Sequence, residues 1–313
     1  MIIKTAETSD TPKIVDLLRL SLGEGLIKKS KEVWDFKHHD NPFGNSHVLL
    51  AIEDEKFVGV RALMKWNWQL GLVKWTAYRA VDTSTHPDYQ GKGIFKKLTL
   101  QALSDVKAIH ETFVFNTPND KSRPGYLKMG WVIVDAISIA VVPTLLYSIM
   151  GLFQKKINSS NIINSERLEE LCRNHNERLE KRNVIFTPKS AHYLKWRFEK
   201  NPMQDYIVIS SYNWYVALYI KKHKFFNELR VTEVIGDESN LYKKEIRCAI
   251  AKQALKRNCL IITLANKNLF RISMYGKFGP RLTYKSLTDN VQFNNKALTI
   301  ESWKYSIGDL ELF

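Results

Sequence analysis

Cysteine is scarce in this sequence of 313 residues, and what there is forms no pattern. The three cysteines are Cys172, Cys248 and Cys259. Their odd number and wide spacing argue against a disulfide framework and against a structural zinc site. No other cluster of histidine and acidic residues has metal-ligand spacing, and His38-His39 is interpreted as a surface pair. Because no residues have metal-ligand spacing, we expect no metal. The N-terminus has no signal-peptide pattern, so we expect a cytoplasmic protein.

The sequence also lacks a long uninterrupted apolar run. Its most apolar stretch, Val132 to Phe153, contains Asp135 and Pro143, and a transmembrane helix needs about 18 or more apolar residues in a row. We predict a buried strand over 131–142 and a short helix over 144–153, which Pro143 would begin. Because Gln154-Lys155-Lys156 follows, weak peripheral contact with a membrane surface stays open.

Negative charge is in short supply. The chain has 47 basic and 32 acidic residues, a net charge of +15, which favours an acidic partner such as nucleic acid, anionic lipid or a sugar nucleotide. The basic residues are spread along the chain rather than gathered in one run. That distribution does not favour nucleic acid, and it suits a solvated surface around a pocket for a phosphate-bearing molecule.

Two glycines and a lysine lie where a strand is predicted to turn into a helix. Residues 77–85 have the pattern of a strand, and the next apolar residues share one helical stripe. The stripe comprises Ile94, Phe95, Leu98, Ala102, Leu103, Val106 and Ile109. A helix that begins after such a loop directs free N–H groups and the positive end of its dipole at one place. Glycine lets an anion approach the backbone, so the loop is predicted to hold a phosphate.

The sequence of this loop resembles the coenzyme A loop of the GNAT acyltransferases, whose pattern is Gln/Arg-x-x-Gly-x-Gly/Ala. Here the pattern is Gln90-Gly91-Lys92-Gly93-Ile94-Phe95, and Phe95 departs from it by replacing a small residue. The resemblance implies an α+β fold with a mixed sheet and acetyl-CoA as co-substrate. It places the diphosphate on the main chain of residues 90–95, with added charge from Lys92.

The resemblance also implies the other site residues. Main-chain N–H groups near Ser84 and Thr85 would polarise the thioester carbonyl. Asn119 and Tyr126 fall in a segment similar to the one that lines the thiol end of the cofactor, and Tyr126 resembles the general acid of the family. Asp82 lies on the strand where many relatives have a carboxylate, which makes it the first candidate for the general base. His86 is the second.

The second half of the chain repeats the first weakly. Residues 33–42 align with 193–202 without a gap, so that Asn41-Pro42 matches Asn201-Pro202. A second set of matches has identical spacing: Asn119, Tyr126, Lys128 and Gly130 with Asn268, Tyr275, Lys277 and Gly279. We therefore predict a duplicated GNAT fold with a degenerate second copy. The predicted domains are 1–150, a helical linker over 151–190, and 191–313.

The second copy lacks the phosphate loop. Residues 234–242 contain one glycine and the two carboxylates Asp237 and Glu238, which would repel a diphosphate. We predict that this copy no longer binds coenzyme A, that it walls the acceptor pocket or holds a partner subunit, and that Tyr275 is structural. A homodimer is compatible with this.

These observations together predict an N-acetyltransferase that moves an acetyl group from acetyl-CoA to a small-molecule amine by direct attack in a ternary complex. An amino sugar or a sugar nucleotide is the acceptor we favour. Two alternatives stay open: a non-catalytic protein that senses coenzyme A or acts as an adaptor, and an aminoacyl transferase of the peptidoglycan-bridge type.

Overall fold

The computed structural model of the protein describes residues 1–23, 28–109, 111–147, 163–236 and 239–310. The strands are β1 (Ile2–Thr5), β2 (His47–Glu53), β3 (Lys56–Leu70), β4 (Val73–Thr85), β5 (Thr112–Asn116), β6 (Val132–Ala136), β7 (Ile139–Pro143), β8 (Ile185–Phe186), β9 (Ile207–Ser211), β10 (Trp214–Lys222), β11 (Asn227–Gly236), β12 (Cys259–Leu264), β13 (Met274–Gly276) and β14 (Arg281–Ser286). The helices are α1 (Thr11–Leu22), α2 (Lys31–His38), α3 (Ile94–Ile109), α4 (Arg123–Lys128), α5 (Ser165–Glu180), α6 (Ala191–Leu194), α7 (Asn240–Lys256), α8 (Val291–Ala297) and α9 (Ile307–Leu310).

The strands form two mixed sheets, as the predicted duplicated α+β fold requires. The first has the order β1-β2-β3-β4-β5-β14-β6, and the second has the order β13-β7-β12-β11-β10-β9. In each, one parallel pair lies among antiparallel ones: β4 with β5, and β11 with β12. The N-terminal unit comprises Met1–Asp135 and Arg281–Ser302, and the C-terminal unit comprises Ala136–Pro280 and the segment that starts at Trp303.

This division differs from the predicted ranges 1–150, 151–190 and 191–313 because one strand of each half is built into the other sheet. Strand β7, from the first half of the chain, pairs with β12 in the second sheet. Strand β14, from the second half, pairs with β5 in the first sheet. Helix α5, in the predicted linker, buries its apolar face within the C-terminal unit. Each sheet is thus complete only with a strand from the other half of the sequence.

The apolar stretch after residue 130 forms two strands rather than one. Strands β6 and β7 replace the single strand predicted over 131–142, and residues 144–147 are helical. The rest of the helix predicted over 144–153 lies outside the described residues, as do Gln154-Lys155-Lys156. Within the described ranges, every helix is too short or too polar to cross a bilayer.

The apolar stripe predicted for α3 packs against the first sheet. Ile94, Leu98, Ala102 and Val106 are buried there with residues from β2, β3 and β4. Burial of one such side chain contributes about 1.5–3 kcal/mol, so this stripe fixes the helix firmly on the sheet. Gly59 on β3 lets the helix approach closely, because a Cβ there would lie 2.6 Å from Ile94. The start of α3 is held beside the end of β4 by this packing.

The two copies share the first predicted landmark in atomic detail. The side-chain oxygen of Asn41 accepts from the N–H of Phe43 at 3.0 Å, and that of Asn201 accepts from Met203 at 2.8 Å. Ser30 and Ser190, also in register, each cap the helix that follows. Strands β4 and β11 each carry a bulge at a similar place.

The second landmark is wrong as a structural match. Tyr126 lies on helix α4 and is buried, whereas Tyr275 lies in strand β13 and is 45% exposed. Gly130 has a positive φ of 85°, and Gly279 does not. Within the described part of the second copy, no helix corresponds to α4. Equal spacing in the sequence here conceals different local structure.

Candidate active site

The predicted phosphate loop joins β4 to α3. A short 3₁₀ turn over Pro87–Tyr89 follows the strand, and α3 begins at Ile94. Gly91 and Gly93 have φ values of 78° and 77°, a conformation that costs other residues about 1–2 kcal/mol. A Cβ at either glycine would meet no atom within 4 Å, so the space beside the loop is open.

The loop presents a row of main-chain donors to this open space. Among the described residues, none accepts a hydrogen bond from the N–H groups of residues 91–96. The row ends where Lys97 donates to the carbonyl of Gly93 at 3.0 Å. Gln90, predicted as the first donor, instead donates its main-chain N–H to Pro87 at 3.3 Å. The free donors therefore begin at Gly91, and they lie at the positive end of a long helix.

The side chains around the loop leave these donors uncovered. The Gln90 amide donates to the carbonyl of Thr85 at 3.5 Å, which ties the loop back to the strand. The Lys92 ammonium lies 4.3 Å from the centre of the Tyr89 ring, a cation–π contact that keeps a positive charge beside the loop. An anion at the loop would meet both the N–H groups and this charge.

A cleft opens next to the loop because β4 and β5 part. Their parallel pairing runs from Thr76/Thr112 to Arg79/Phe115 and stops there, although β4 continues to Thr85. The bulge in β4 is centred near Asp82, whose φ of 40° is unusual for a residue other than glycine. The edge of β4 that faces β5 is thus free beyond residue 79.

Ser84 and Thr85, predicted to contribute to carbonyl polarisation, lie on this free part of β4. Ser84 is buried, and its hydroxyl meets no acceptor within the described residues. Thr85 is half-buried and uses its carbonyl for Gln90. The structure therefore brings both residues to the junction of the cleft and the phosphate loop.

Asp82 has cationic and imidazole partners. Its carboxylate accepts from the Lys37 ammonium and from Nε2 of His38 at 2.9 Å, and both partners belong to α2. Nδ1 of His38 lies 2.8 Å from the Ser46 hydroxyl. His38 is 1% exposed, so the prediction of a surface histidine is wrong at this position and holds only for His39. It failed because His38 lies on the inner face of the amphipathic helix, beside Trp34.

These partners decide the protonation state of Asp82. Burial acts to raise the pKa of Asp82, but the charge of Lys37 and the hydrogen bonds from His38 and Lys37 outweigh it, and the pKa falls well below its ordinary value. Burial lowers the pKa of His38, against the pull of Asp82. The carboxylate is therefore ionised but weakly basic, which is a poor starting point for taking a proton from an amine.

His86, the second candidate for the base, shapes the turn. Its Nδ1 accepts from the main-chain N–H of Asp88 at 3.3 Å, and its ring packs edge-on against Tyr89. Asn119 has a similar role at the next helix, since its side-chain oxygen accepts from the N–H of Ser122 at 2.9 Å. Both side chains thus stabilise local backbone structure in this protein.

Tyr126, the predicted general acid, is held by a buried arginine. The Arg61 guanidinium donates to the Tyr126 hydroxyl at 2.8 Å and also to the Thr83 hydroxyl in the bulge. As the acceptor of that bond, the tyrosine keeps its own proton free to be donated. Phe95 packs edge-on against Tyr126, with the ring centres 5.7 Å apart. The irregular residue of the motif is therefore directed toward α4, away from the loop donors.

Arg61 is the residue of this region that sequence reasoning missed. It is 0% exposed, and its Nε and Nη2 atoms meet no acceptor within the described chain. A single arginine within the apolar run Val58–Met64 was the available signal. A buried guanidinium is costly unless it is paired, so a charge at this position requires an explanation.

Known proteins resemble this chain in sequence pattern and in fold. The family model described as an acetyltransferase (GNAT) domain matches residues 2–134. Residues 2–134 thus resemble a GNAT acetyltransferase domain, and enzymes of that family generally use acetyl-CoA as the acyl donor. No curated protein sequence matches the chain.

Solved structures resemble nearly the whole chain. A probable N-acyltransferase from Enterococcus faecalis has 10% identity and a TM-score of 0.66, with 92% of this chain and 72% of that chain covered. A GCN5-related N-acetyltransferase from Anabaena variabilis has 13% identity and a TM-score of 0.62, over 92% and 73%. One from Kribbella flavida has 12% identity and a TM-score of 0.63, over 91% and 71%. At these identities the likeness shows a common fold.

Proposed function

We propose that the protein is an N-acetyltransferase that binds the diphosphate of acetyl-CoA on the main-chain N–H groups of residues 91–96. The observation that carries this proposal is the row of free donors, in a loop with two left-handed glycines, at the mouth of a cleft between parting parallel strands. The diphosphate would be held by these donors and by Lys92, and the pantetheine arm would follow the free edge of β4 into the cleft.

The proposed reaction is a direct transfer. The amine nitrogen attacks the thioester carbonyl carbon, the new C–N bond forms, and the C–S bond breaks. A main-chain N–H near Ser84 or Thr85 stabilises the negative charge that develops on the carbonyl oxygen. Tyr126 gives its proton to the departing thiolate, and Arg61 holds the hydroxyl for that purpose. The attacking nitrogen releases one proton as the amide forms; this proton passes to solvent, from which Tyr126 is protonated again.

The proton of the amine needs a different acceptor from the one first considered. Asp82 is tied to Lys37 and His38 and has a lowered pKa, so we propose that the amine loses its proton to water before it attacks. An ammonium has no lone pair and a pKa of about 10, so the reaction should accelerate as the pH rises toward that value. Asp82 then supports the bulge that opens the cleft.

For the acceptor we propose an amino sugar or a sugar nucleotide. The support is the net charge of +15 and the aromatic content of 12%, which suit the acidic diphosphate and the planar base of a sugar nucleotide. Acetylation of a panel containing glucosamine, a UDP-amino sugar and a lysine peptide tests the class. Turnover of the peptide alone would contradict this choice of acceptor while leaving the acetyl transfer intact.

Calorimetry with acetyl-CoA tests the binding proposal. We expect binding by the natural protein and none by Gly93→Glu, because the new carboxylate would occupy and repel the anion position. Gly71→Glu is a matched control: Gly71 also has a positive φ, of 57°, and open space around it. It lies at the other end of β4, about 40 Å away by the rise of the strand. Equal binding by both variants would remove the loop from its proposed role.

A second candidate is a protein that binds coenzyme A without transferring an acyl group. The ion-paired state of Asp82 and the burial of the Tyr126 ring favour it. Release of free thiol from acetyl-CoA over the same amine panel separates the two candidates. Tight binding without thiol release from any amine would support the second candidate.

A further inference from the structure

The C-terminal unit contains a cavity at the place where its own parallel strands part. The pairing of β11 with β12 stops at Arg230/Thr263, while β11 continues to Gly236. The walls of the cavity include residues 231–234 and 236 at the end of β11, and residues 264–266 at the end of β12 and just after it. Its volume is about 90 Å³, below the roughly 300–1,000 Å³ of a site for a whole cofactor. It has room for one small group.

Cationic side chains line this cavity from three directions. Arg178 comes from α5, Lys243 from the first turn of α7, and Lys304 from the C-terminal segment. A fourth, Lys189, is already neutralised, because its ammonium lies 2.7 Å from Glu233 and 2.6 Å from Asp309. Among the described residues, neither Arg178 nor Lys243 meets a carboxylate. Within that part of the chain, the one acceptor of Arg178 is the carbonyl of Gly236, at 2.6 Å.

The lowered pKa of His175, in the same wall of the cavity, indicates an excess of positive charge there. His175 lies one helical turn before Arg178 on α5, so both face the cavity. Burial is the largest cause that lowers the pKa of His175, to about 3, and every other cause is a cation: Lys189, Arg178, Lys304 and Arg182. The imidazole is therefore neutral in a positive environment. Its ring nitrogens have no hydrogen-bond partner within the described chain.

We propose that this cavity is a second binding site, which takes an oxyanion group the size of phosphate or of a carboxylate. Arg178 and Lys243 supply the charge, and His175 donates one hydrogen bond. The volume admits the anionic end of a ligand rather than coenzyme A, so the second copy keeps the cleft of the fold with a different occupant. Asp237 and Glu238, which follow Gly236 in the sequence, lie outside the described residues.

Phosphate binding in the Gly93→Glu background tests the site, because that variant removes phosphate binding at the N-terminal loop. Calorimetry at constant ionic strength should show one saturable phosphate site. Replacing Arg178→Gln and Lys243→Gln together should weaken it at least tenfold. The control pair Lys221→Gln and Lys252→Gln removes the same charge from exposed positions and should leave the affinity unchanged.

A second readout follows the cavity directly. In protein with ¹³C-labelled histidine, the signal that disappears in His175→Gln should move when phosphate is added. Acetate and glucose 6-phosphate, tested in the same way, distinguish a carboxylate from a phosphate and a free anion from the end of a larger ligand. Absence of saturable binding, equal loss in both double variants, or a His175 signal that phosphate leaves in place would overturn the proposal.

Discussion

The two copies share a backbone plan and differ at the points where chemistry would occur. Each has a bulged strand, a parallel neighbour that parts from it, and a helix that follows. In the first copy the junction is a loop with two left-handed glycines and free N–H groups, and Arg61 and Tyr126 lie behind it. In the second, the strand facing the bulge has Ala217 and Leu218, and the junction borders a cavity lined by cations. The bulge and the cleft are therefore shared features of the fold, whereas the loop and the side chains determine which ligand is bound.

The largest expected difference between the two copies is in the stability lost when a buried lysine is replaced. Lys189 is 3% exposed and bridges two carboxylates that are equally buried. Lys189→Met would remove the cation that both carboxylates share and should cost about 3–5 kcal/mol of the free energy of unfolding, measured with urea. Lys37→Met is the matched variant. It removes from the Asp82 carboxylate a lysine that is more exposed than Lys189, so it should cost less of the free energy of unfolding. Equal losses would show that the two clusters are equivalent.

The next effect is on the rate. Tyr126→Phe should lower kcat for acetyl transfer by about 10²-fold, the contribution of a general acid, with little change in KM for acetyl-CoA. Tyr275→Phe, at the position with the same sequence spacing, should have no effect because that side chain lies in an exposed strand. If kcat is unchanged in Tyr126→Phe, Tyr126 is not the general acid, and water protonates the departing thiolate.

A smaller effect concerns Asp82 and acid. Its pKa is lowered by folding, so the carboxylate stabilises the fold above its unfolded-state pKa of about 3.9, and this contribution disappears as the pH falls through the folded-state value. Asp82→Asn should therefore be less stable at pH 7 and should lose less stability between pH 5 and pH 2. Denaturation at a series of pH values measures this, with exposed Asp88→Asn as the control.

The same variant sharpens the assignment of the base. If water takes the proton, Asp82→Asn should lower kcat by less than about tenfold, whereas loss of a true general base costs about 10²–10⁴-fold. The acceleration of the reaction with rising pH should persist in the variant. A larger loss, with that pH dependence abolished, would restore Asp82 as the base.

The smallest expected effects are on stability, at the helix caps that the two copies have in common. Ser30→Ala and Ser190→Ala each remove a helix cap, with N···O distances of 3.2 Å and 3.1 Å in the natural protein. Each should cost about 1 kcal/mol of the free energy of unfolding, measured by denaturation. A large inequality would mean that one of these helices contributes much more than the other to the stability of its unit.

The sequence was sufficient to predict the parts of the fold that depend on local pattern. The strand–loop–helix unit around Gly91 and Gly93 was predictable because glycine and helical periodicity act over neighbouring residues. The partners of Asp82 were not, because Lys37 and His38 meet it only after α2 packs on the sheet. The exchange of β7 and β14 was equally hidden, since the apolar pattern of a strand does not encode which sheet it joins. Tyr275 shows the opposite error, in which a pattern persists after its structure has changed.

The strand exchange also has a consequence for biosynthesis. Residues 281–286 form the strand between β5 and β6, so the first half of the chain leaves the ribosome with a gap in its sheet. That gap closes only after residues 281–286 have been translated. Premature termination before residue 281 therefore removes a structural strand from the sheet of the first copy.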